Sequence, residues 1–97
     1  MPKSDAVISY VEERRREVHR LVEGALLHLG FRDYSVSVTR RRGVDVYSPV
    51  EPLFAVKATV AGPLGGDEVE FIVSGLQNRG YSVKRLRKLD DRLLLLV

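Results

Sequence analysis

Residues 53–76, LFAVKATVAGPLGGDEVEFIVSGL, contain the signals of a strand, a turn and a helix in succession, and they decide the fold class. In the first part, apolar side chains occupy every second position, which is the period of a strand with one buried face. In the second part, apolar residues recur three and four apart, the period of an amphipathic helix. The apolar positions are Phe54, Val56, Ala58 and Val60 in the strand, and Val69, Ile72, Val73 and Leu76 in the helix.

Both ends of this helix have sequence signals. The glycine-rich segment GPLGG at 62–66 predicts the turn that leads into it. Asp67 and Glu70 have the spacing of a capping box, in which side chains satisfy the first backbone amides of a helix. Gly80 follows the last apolar position and suits the left-handed conformation that ends many helices. We therefore predict a helix that begins near Asp67 and ends before Gly80.

A longer helix is predicted at the N-terminus. Ser4 or Asp5 can cap its start, and Gly30 suits its end. Residues 12–17, EERRRE, interrupt its apolar stripe with charges on all sides. At about 1.5 Å per residue the helix would be roughly 37 Å long, more than a small sheet requires, so we expect its first turns to pack on a partner. The apolar stripe consists of Val7, Val11, Val18, Leu21, Val22, Ala25 and Leu29.

The stretch VTRRRGV at 38–44 predicts the tip of a hairpin. The alternation of YSVSVT at 34–39 is that of a half-buried strand, and it resumes at Val44 and Val46. The loop between the two strands, residues 41–43, ends in a glycine that suits a bulged turn. The prediction places arginines in an exposed loop.

Two more strands are predicted in the C-terminal part, YSVKRLR at 81–87 and RLLLLV at 92–97. The last of them is apolar on both faces, so we expect both sides of the sheet to be covered there. Tyr-Ser-Val occurs at 34–36 and again at 81–83, after each predicted helix. This repeat favours a duplication of a helix–strand–strand unit.

These elements predict a single α+β domain over residues 1–97, with αββ-like halves at about 4–61 and 66–97. The expected architecture is an antiparallel sheet of four or five strands backed by two helices, with the hairpin strand as the extra one. Such an arrangement resembles a permuted ferredoxin-like sandwich, a fold that hosts many functions.

Composition excludes several classes of site. The chain has no cysteine, which excludes disulfides, thiolate catalysis and cysteine-based metal sites. No run approaches the roughly 20 apolar residues of a membrane span, and the N-terminus is highly charged where a signal peptide would be apolar. We expect an intracellular, cytoplasmic protein that does not contact membranes.

No constellation of residues predicts catalysis. The sequence has no nucleophile beside a base, no set of convergent carboxylates and no phosphate-binding loop. His19 and Glu23 lie one helical turn apart and could bind a metal, but an exposed ion pair is the simpler interpretation. We expect a non-enzymatic protein with no catalytic residues, no metal and no cofactor.

Arginine is the most informative residue type. The chain has twelve arginines, only four lysines and 13 acidic residues, which give a net charge of +3. Guanidinium groups match phosphate oxygens, so clustered arginines predict contact with DNA or RNA. On a thermophile-like chain, clustered arginines are also ordinary features of a charged surface, and Glu12, Glu13 and Glu17 could neutralise those of the first helix. The candidate contacts are Arg40, Arg41, Arg42, Arg85, Arg87 and Lys88.

Partners are predicted from the apolar positions and from the tyrosines. A domain of this size has much surface for its volume, which favours a homodimer or a protein partner. Tyr34, Tyr47 and Tyr81 could stack on bases. The main alternative to nucleic-acid binding is a protein interaction or assembly module. The self-association candidates are Val7, Val11, Leu93, Leu95 and Val97.

Overall fold

The computed structural model describes residues 2–41 and 53–97, with side chains from residue 9 onward. The elements in chain order are α1 (Pro2–His28), β1 (Tyr34–Arg41), β2 (Leu53–Val60), α2 (Gly66–Asn78), β3 (Arg85–Lys88) and β4 (Arg92–Leu96). The prediction of an α+β chain with two helices and an antiparallel sheet is confirmed. The predicted second hairpin strand at 44–46 lies outside the described residues.

In the part of the chain that the structure describes, four strands form one sheet in the order β1-β2-β4-β3, and every neighbouring pair is antiparallel. β1 pairs with β2 over eight residues, from Tyr34 opposite Val60 to Arg41 opposite Leu53. The prediction that Arg41 belongs to a loop is therefore wrong. The strand continues to this residue because β2 provides a pairing partner for its whole length.

Both helices pack on one side of the sheet, and the alternation of the strands supplies the core. Every second residue of β2 is buried, as the sequence period predicts. The partners of these residues on β4 are buried as well: Ala58 lies opposite Leu93, and Val56 lies opposite Leu95. The helices contribute Val11, Val18, Val22, Ala25 and Leu26 from α1 and Val69, Ile72 and Leu76 from α2.

Each helix ends in the same motif. The N–H of Phe31 donates to the carbonyl of Leu26, and the N–H of Tyr81 donates to the carbonyl of Leu76, each at about 3.0 to 3.1 Å. The residue before each aromatic is a glycine with positive φ, 95° in the first case and 89° in the second. This is the Schellman arrangement, and the left-handed backbone explains the two glycines. The predicted helix ends are confirmed.

The helix starts differ from the prediction. α1 begins at Pro2, a residue that fits the first position of a helix, so Ser4 and Asp5 lie inside its first turn. α2 begins at Gly66, and the Gly65 N–H donates to the Glu68 Oε1 at 3.0 Å. The predicted caps are wrong because each helix begins earlier than its first capping side chain.

The repeated Tyr-Ser-Val does not occupy equivalent positions. Tyr34 opens strand β1, whereas Tyr81 directly follows the glycine that ends α2 and is buried. The structural counterpart of Tyr81 is Phe31, which follows the glycine that ends α1. Within residues 2–41 and 53–97, neither helix combines the length and apolar character that a membrane crossing requires.

Candidate functional site

The candidate binding surface is the side of the sheet that faces away from the helices, which we call the open face. Strand side chains alternate between the two faces, so the residues between the buried positions lie here. The open face consists of Ser35, Ser37, Thr39 and Arg41 from β1, Leu53, Ala55, Lys57 and Thr59 from β2, Arg92, Leu94 and Leu96 from β4, and Arg85 and Arg87 from β3.

Four cations on the open face have no ion-pair partner within the described residues: Arg41, Lys57, Arg85 and Arg87. All four side chains are exposed. Arg92 lies on the same face, but its Nε is 3.8 Å from a carboxylate oxygen of Asp91. Among the described strand positions of this face, none is acidic. The described strand positions of this face therefore carry net positive charge, which attracts anions.

The register places these cations on two sides of an apolar strip, which consists of Leu94 and Leu96 of β4. Lys57 and Arg87 both lie opposite Leu94, one on each neighbouring strand. Strands are spaced about 4.8 Å apart, so the two Cα atoms are about 10 Å from each other. Leu96 has Arg85 on one side and Ala55 on the other. This part of the sheet is a shallow concave surface, and its centre is the half-buried pair of leucines on β4.

Arg14, Arg15 and Arg16 of helix α1 differ from the arginines of the open face because each lies beside a glutamate. Glu12 accepts hydrogen bonds from the Arg15 Nε at 3.1 Å and lies 3.5 Å from the Arg16 Nε. Arg14 lies 3.9 Å from Glu17. The hydrogen bond from Arg15 lowers the pKa of Glu12, which keeps this carboxylate ionised. The charged segment of α1 is an ion-paired surface.

The six predicted phosphate contacts do not form one cluster. Arg41, Arg85 and Arg87 lie on the open face. Arg40 pairs with the buried Phe54 and Lys88 pairs with the buried Leu93, so these two lie on the helix side. Successive residues of a strand point to opposite faces of the sheet. Arg40 and Lys88 are therefore separated from Arg41, Arg85 and Arg87. Arg42 falls outside the described residues.

Lys57 is the functional candidate that sequence reasoning missed. It lies between Val56 and Ala58, both of which are buried, so the alternation of β2 places its side chain on the opposite face. A lone charged residue inside an apolar strand was the available signal. The structure places Lys57 on the same face as the arginines of β3. No local sequence pattern predicts this arrangement.

The predicted self-association residues are used inside the chain itself. Val11, Leu93, Leu95 and Val97 are between 0% and 8% exposed and belong to the core cluster. The side chain of Val7 lies outside the described part of α1. The leucines of β4 that face away from the core are Leu94 and Leu96, which are half-buried. A surface for self-association therefore requires residues other than these four.

The tyrosines considered for base stacking are not on the open face. Tyr81 is buried, its hydroxyl donates to the Glu17 Oε1 at 2.6 Å, and the Arg14 guanidinium lies 4.5 Å from its ring centre. Burial, and then the hydrogen bond to Glu17, raise the pKa of Tyr81 well above its usual value. Tyr34 faces the helices, and Tyr47 lies outside the described residues. Across the described strands, the open face has no aromatic side chain.

His19 takes part in surface contacts. Its Nδ1 lies 3.8 Å from Glu23, and its Nε2 is 3.2 Å from the carbonyl oxygen of Val36 on β1. Both ring nitrogens are thus engaged. In the two described segments, no three or more histidine, aspartate or glutamate side chains come together in a way that could hold a metal ion.

No protein-family model, curated protein or solved structure matches this chain. A functional proposal rests on the open face, where four cations without an ion-pair partner among the described residues surround an apolar centre.

Proposed function

We propose that this chain is a non-enzymatic binding protein whose open face contacts the phosphate backbone of nucleic acids. The observation that supports the proposal is the presence of Arg41, Lys57, Arg85 and Arg87 on one face, without an ion-pair partner among the described residues. Phosphates are the anions that arginine binds in bidentate fashion, and a polyanion satisfies several cations at once.

The serine and threonine hydroxyls of the same face support this proposal. Ser35, Ser37 and Thr39 project from β1, and Thr59 projects from β2 beside them. Hydroxyl groups donate hydrogen bonds to phosphate and sugar oxygens, and such contacts carry no sequence information. A surface of cations, hydroxyls and leucines without aromatic rings therefore binds nucleic acid with little sequence preference.

The proposal predicts that Arg85→Ser/Arg87→Ser weakens binding through loss of two phosphate contacts. In a fluorescence anisotropy titration of labelled DNA at several salt concentrations, we expect the slope of log affinity against log salt to become shallower by about 1.8. The matched control is Arg16→Ser/Arg20→Ser, which removes two charges from helix α1 and should change the slope little. No binding by the native chain at low salt, or equal losses in both variants, would refute the proposal.

A second candidate is a protein interaction module, which the half-buried Leu94 and Leu96 favour. Because Lys57 and Arg87 flank Leu94, two copies packed through their open faces would bring like charges together. The partner on this face would therefore be acidic. Substituting Leu94 and Leu96 by serine separates the candidates: it abolishes an apolar protein contact but leaves the salt slope for DNA unchanged.

We also propose that the chain associates with itself through the first turns of α1. We further propose a cytoplasmic location and a thermophilic source. The basis for the source is the arginine-rich composition, in which Gln77 and Asn78 are the only side-chain amides. Sedimentation of the native chain over a range of concentrations tests the oligomeric state.

We also propose that the two helix–strand–strand halves are related by duplication in a permuted ferredoxin-like sandwich. The shared Schellman ends of α1 and α2, each followed by an aromatic residue, support this relation. The central position of β4 supports the permutation, because it is the place of the strand that would open an unpermuted chain. Superposition of residues 2–60 on 66–97 in an experimental structure tests it.

A further inference from the structure

We infer that the preferred ligand of the open face is a double-stranded nucleic acid, with one phosphate backbone on each side of the apolar strip of β4. This inference rests on the proposed function and adds the class of nucleic acid. It depends on two observations, the arrangement of the cations in two lines and the absence of aromatic rings from the described strands of this face.

The first line of cations lies on the edge strand β3. Arg85 and Arg87 are two residues apart, so their side chains leave the same face about 7 Å from each other. They lie beside Leu96 and Leu94 respectively. A single phosphate backbone that follows β3 contacts both.

The second line lies across the strip, on β2 and β1. Lys57 is separated from Arg87 by one strand, or about 10 Å between Cα atoms. Arg41 lies opposite Leu53, on the outermost strand of the same side, about 14 Å from Lys57. The hydroxyl groups of Ser37 and Thr39 lie on the same face, next to Lys57 and Arg41. These residues can contact a second phosphate backbone.

The separation of the two lines matches a duplex. The grooves of B-form DNA are about 6 and 12 Å wide, and flexible arginine and lysine side chains reach phosphates on both sides of such a gap. The uncharged residues between the lines, Ala55, Leu94 and Leu96, then face the groove. A single strand engages one line at a time and leaves the other without a ligand.

The lack of aromatic rings on the described strands of this face disfavours a single strand as the ligand. Proteins that bind single strands obtain much of their affinity from bases stacked on aromatic side chains. Here the nearest candidates are used elsewhere: Phe54 and Tyr81 are buried in the core, and Tyr34 faces the helices. Without base stacking, the affinity comes from electrostatic contact with phosphates. A duplex has a higher charge density than a single strand and is therefore the stronger ligand.

The test compares a fluorescein-labelled mixed-sequence duplex, as DNA and as RNA, with labelled oligo(dT), by anisotropy at several salt concentrations. Four contacts on a duplex predict a slope near −3.6, and two contacts on a single strand predict a slope near −1.4. We expect the duplex to bind at least about tenfold more tightly at low salt.

Lys57→Ser is the decisive variant, because it removes a cation of the second line only. We expect it to make the duplex slope shallower by about 0.9 and to change oligo(dT) binding little, because a single strand can still engage Arg85 and Arg87 on β3. Binding of oligo(dT) as tight as that of the duplex, or equal effects of Lys57→Ser on both ligands, would overturn the inference and leave the proposed function standing. No binding of any probe would instead refute the proposed function.

Discussion

The Tyr81 hydroxyl joins the segment after α2 to helix α1 through its 2.6 Å hydrogen bond to Glu17. We expect Tyr81→Phe to lower the free energy of unfolding at pH 7 by about 1 kcal/mol, because a charged acceptor loses its donor. The tyrosine pKa is raised in the folded chain, so this stabilisation is complete below about pH 10 and is lost as pH rises further. Urea titrations at pH 7 and above pH 10 measure the difference. A native-to-variant difference that is the same at both pH values would contradict this account.

Among the described strands, β1 and β3 are the edges of the sheet. Helix α1 covers part of the β1 edge, whereas all four residues of β3 are exposed. The Arg15 Nη1 donates to the Val38 carbonyl at 3.3 Å, and His19 contacts the Val36 carbonyl, so two outward-facing groups of β1 are occupied. Because uncovered edges pair with other chains, we expect Arg15→Ala/His19→Ala to self-associate at concentrations where the native chain does not. Sedimentation velocity measures this. Arg16→Ala/Arg20→Ala is the control, and equal association of both variants would show that edge cover is not the cause.

Within the described residues, the helices cover one side of the sheet and leave the other open, and adjacent residues of β4 distinguish the two sides. Leu93 is fully buried beneath the helices, whereas Leu94 is half-buried on the open face. We expect Leu93→Ala to reduce the free energy of unfolding by about 3 kcal/mol, because it leaves a cavity in the core. Leu94→Ala should cost about 1 kcal/mol or less, since it removes only partly buried surface. Chemical denaturation compares them, and equal losses would mean that both faces are covered.

Much of the fold could be predicted because its signals are local. The period of two in residues 53–60 and the period of 3.6 in residues 69–76 determine the strand, the helix and the side that each buries. The glycines at positions 30 and 80 determine where the helices end, because the left-handed backbone there suits glycine. The predicted helix starts were less accurate than the predicted ends, since several polar residues near each start could serve as caps.

The candidate site depended on tertiary structure. The sequence by itself determined that the chain is α+β, that it has no cysteine chemistry and that it is rich in arginine. Only the tertiary structure extended β1 to Arg41 and brought Lys57 of β2 close to Arg87 of β3. The physical reason is that periodicity determines the face of each strand, whereas strand order and register arise from pairing between distant segments.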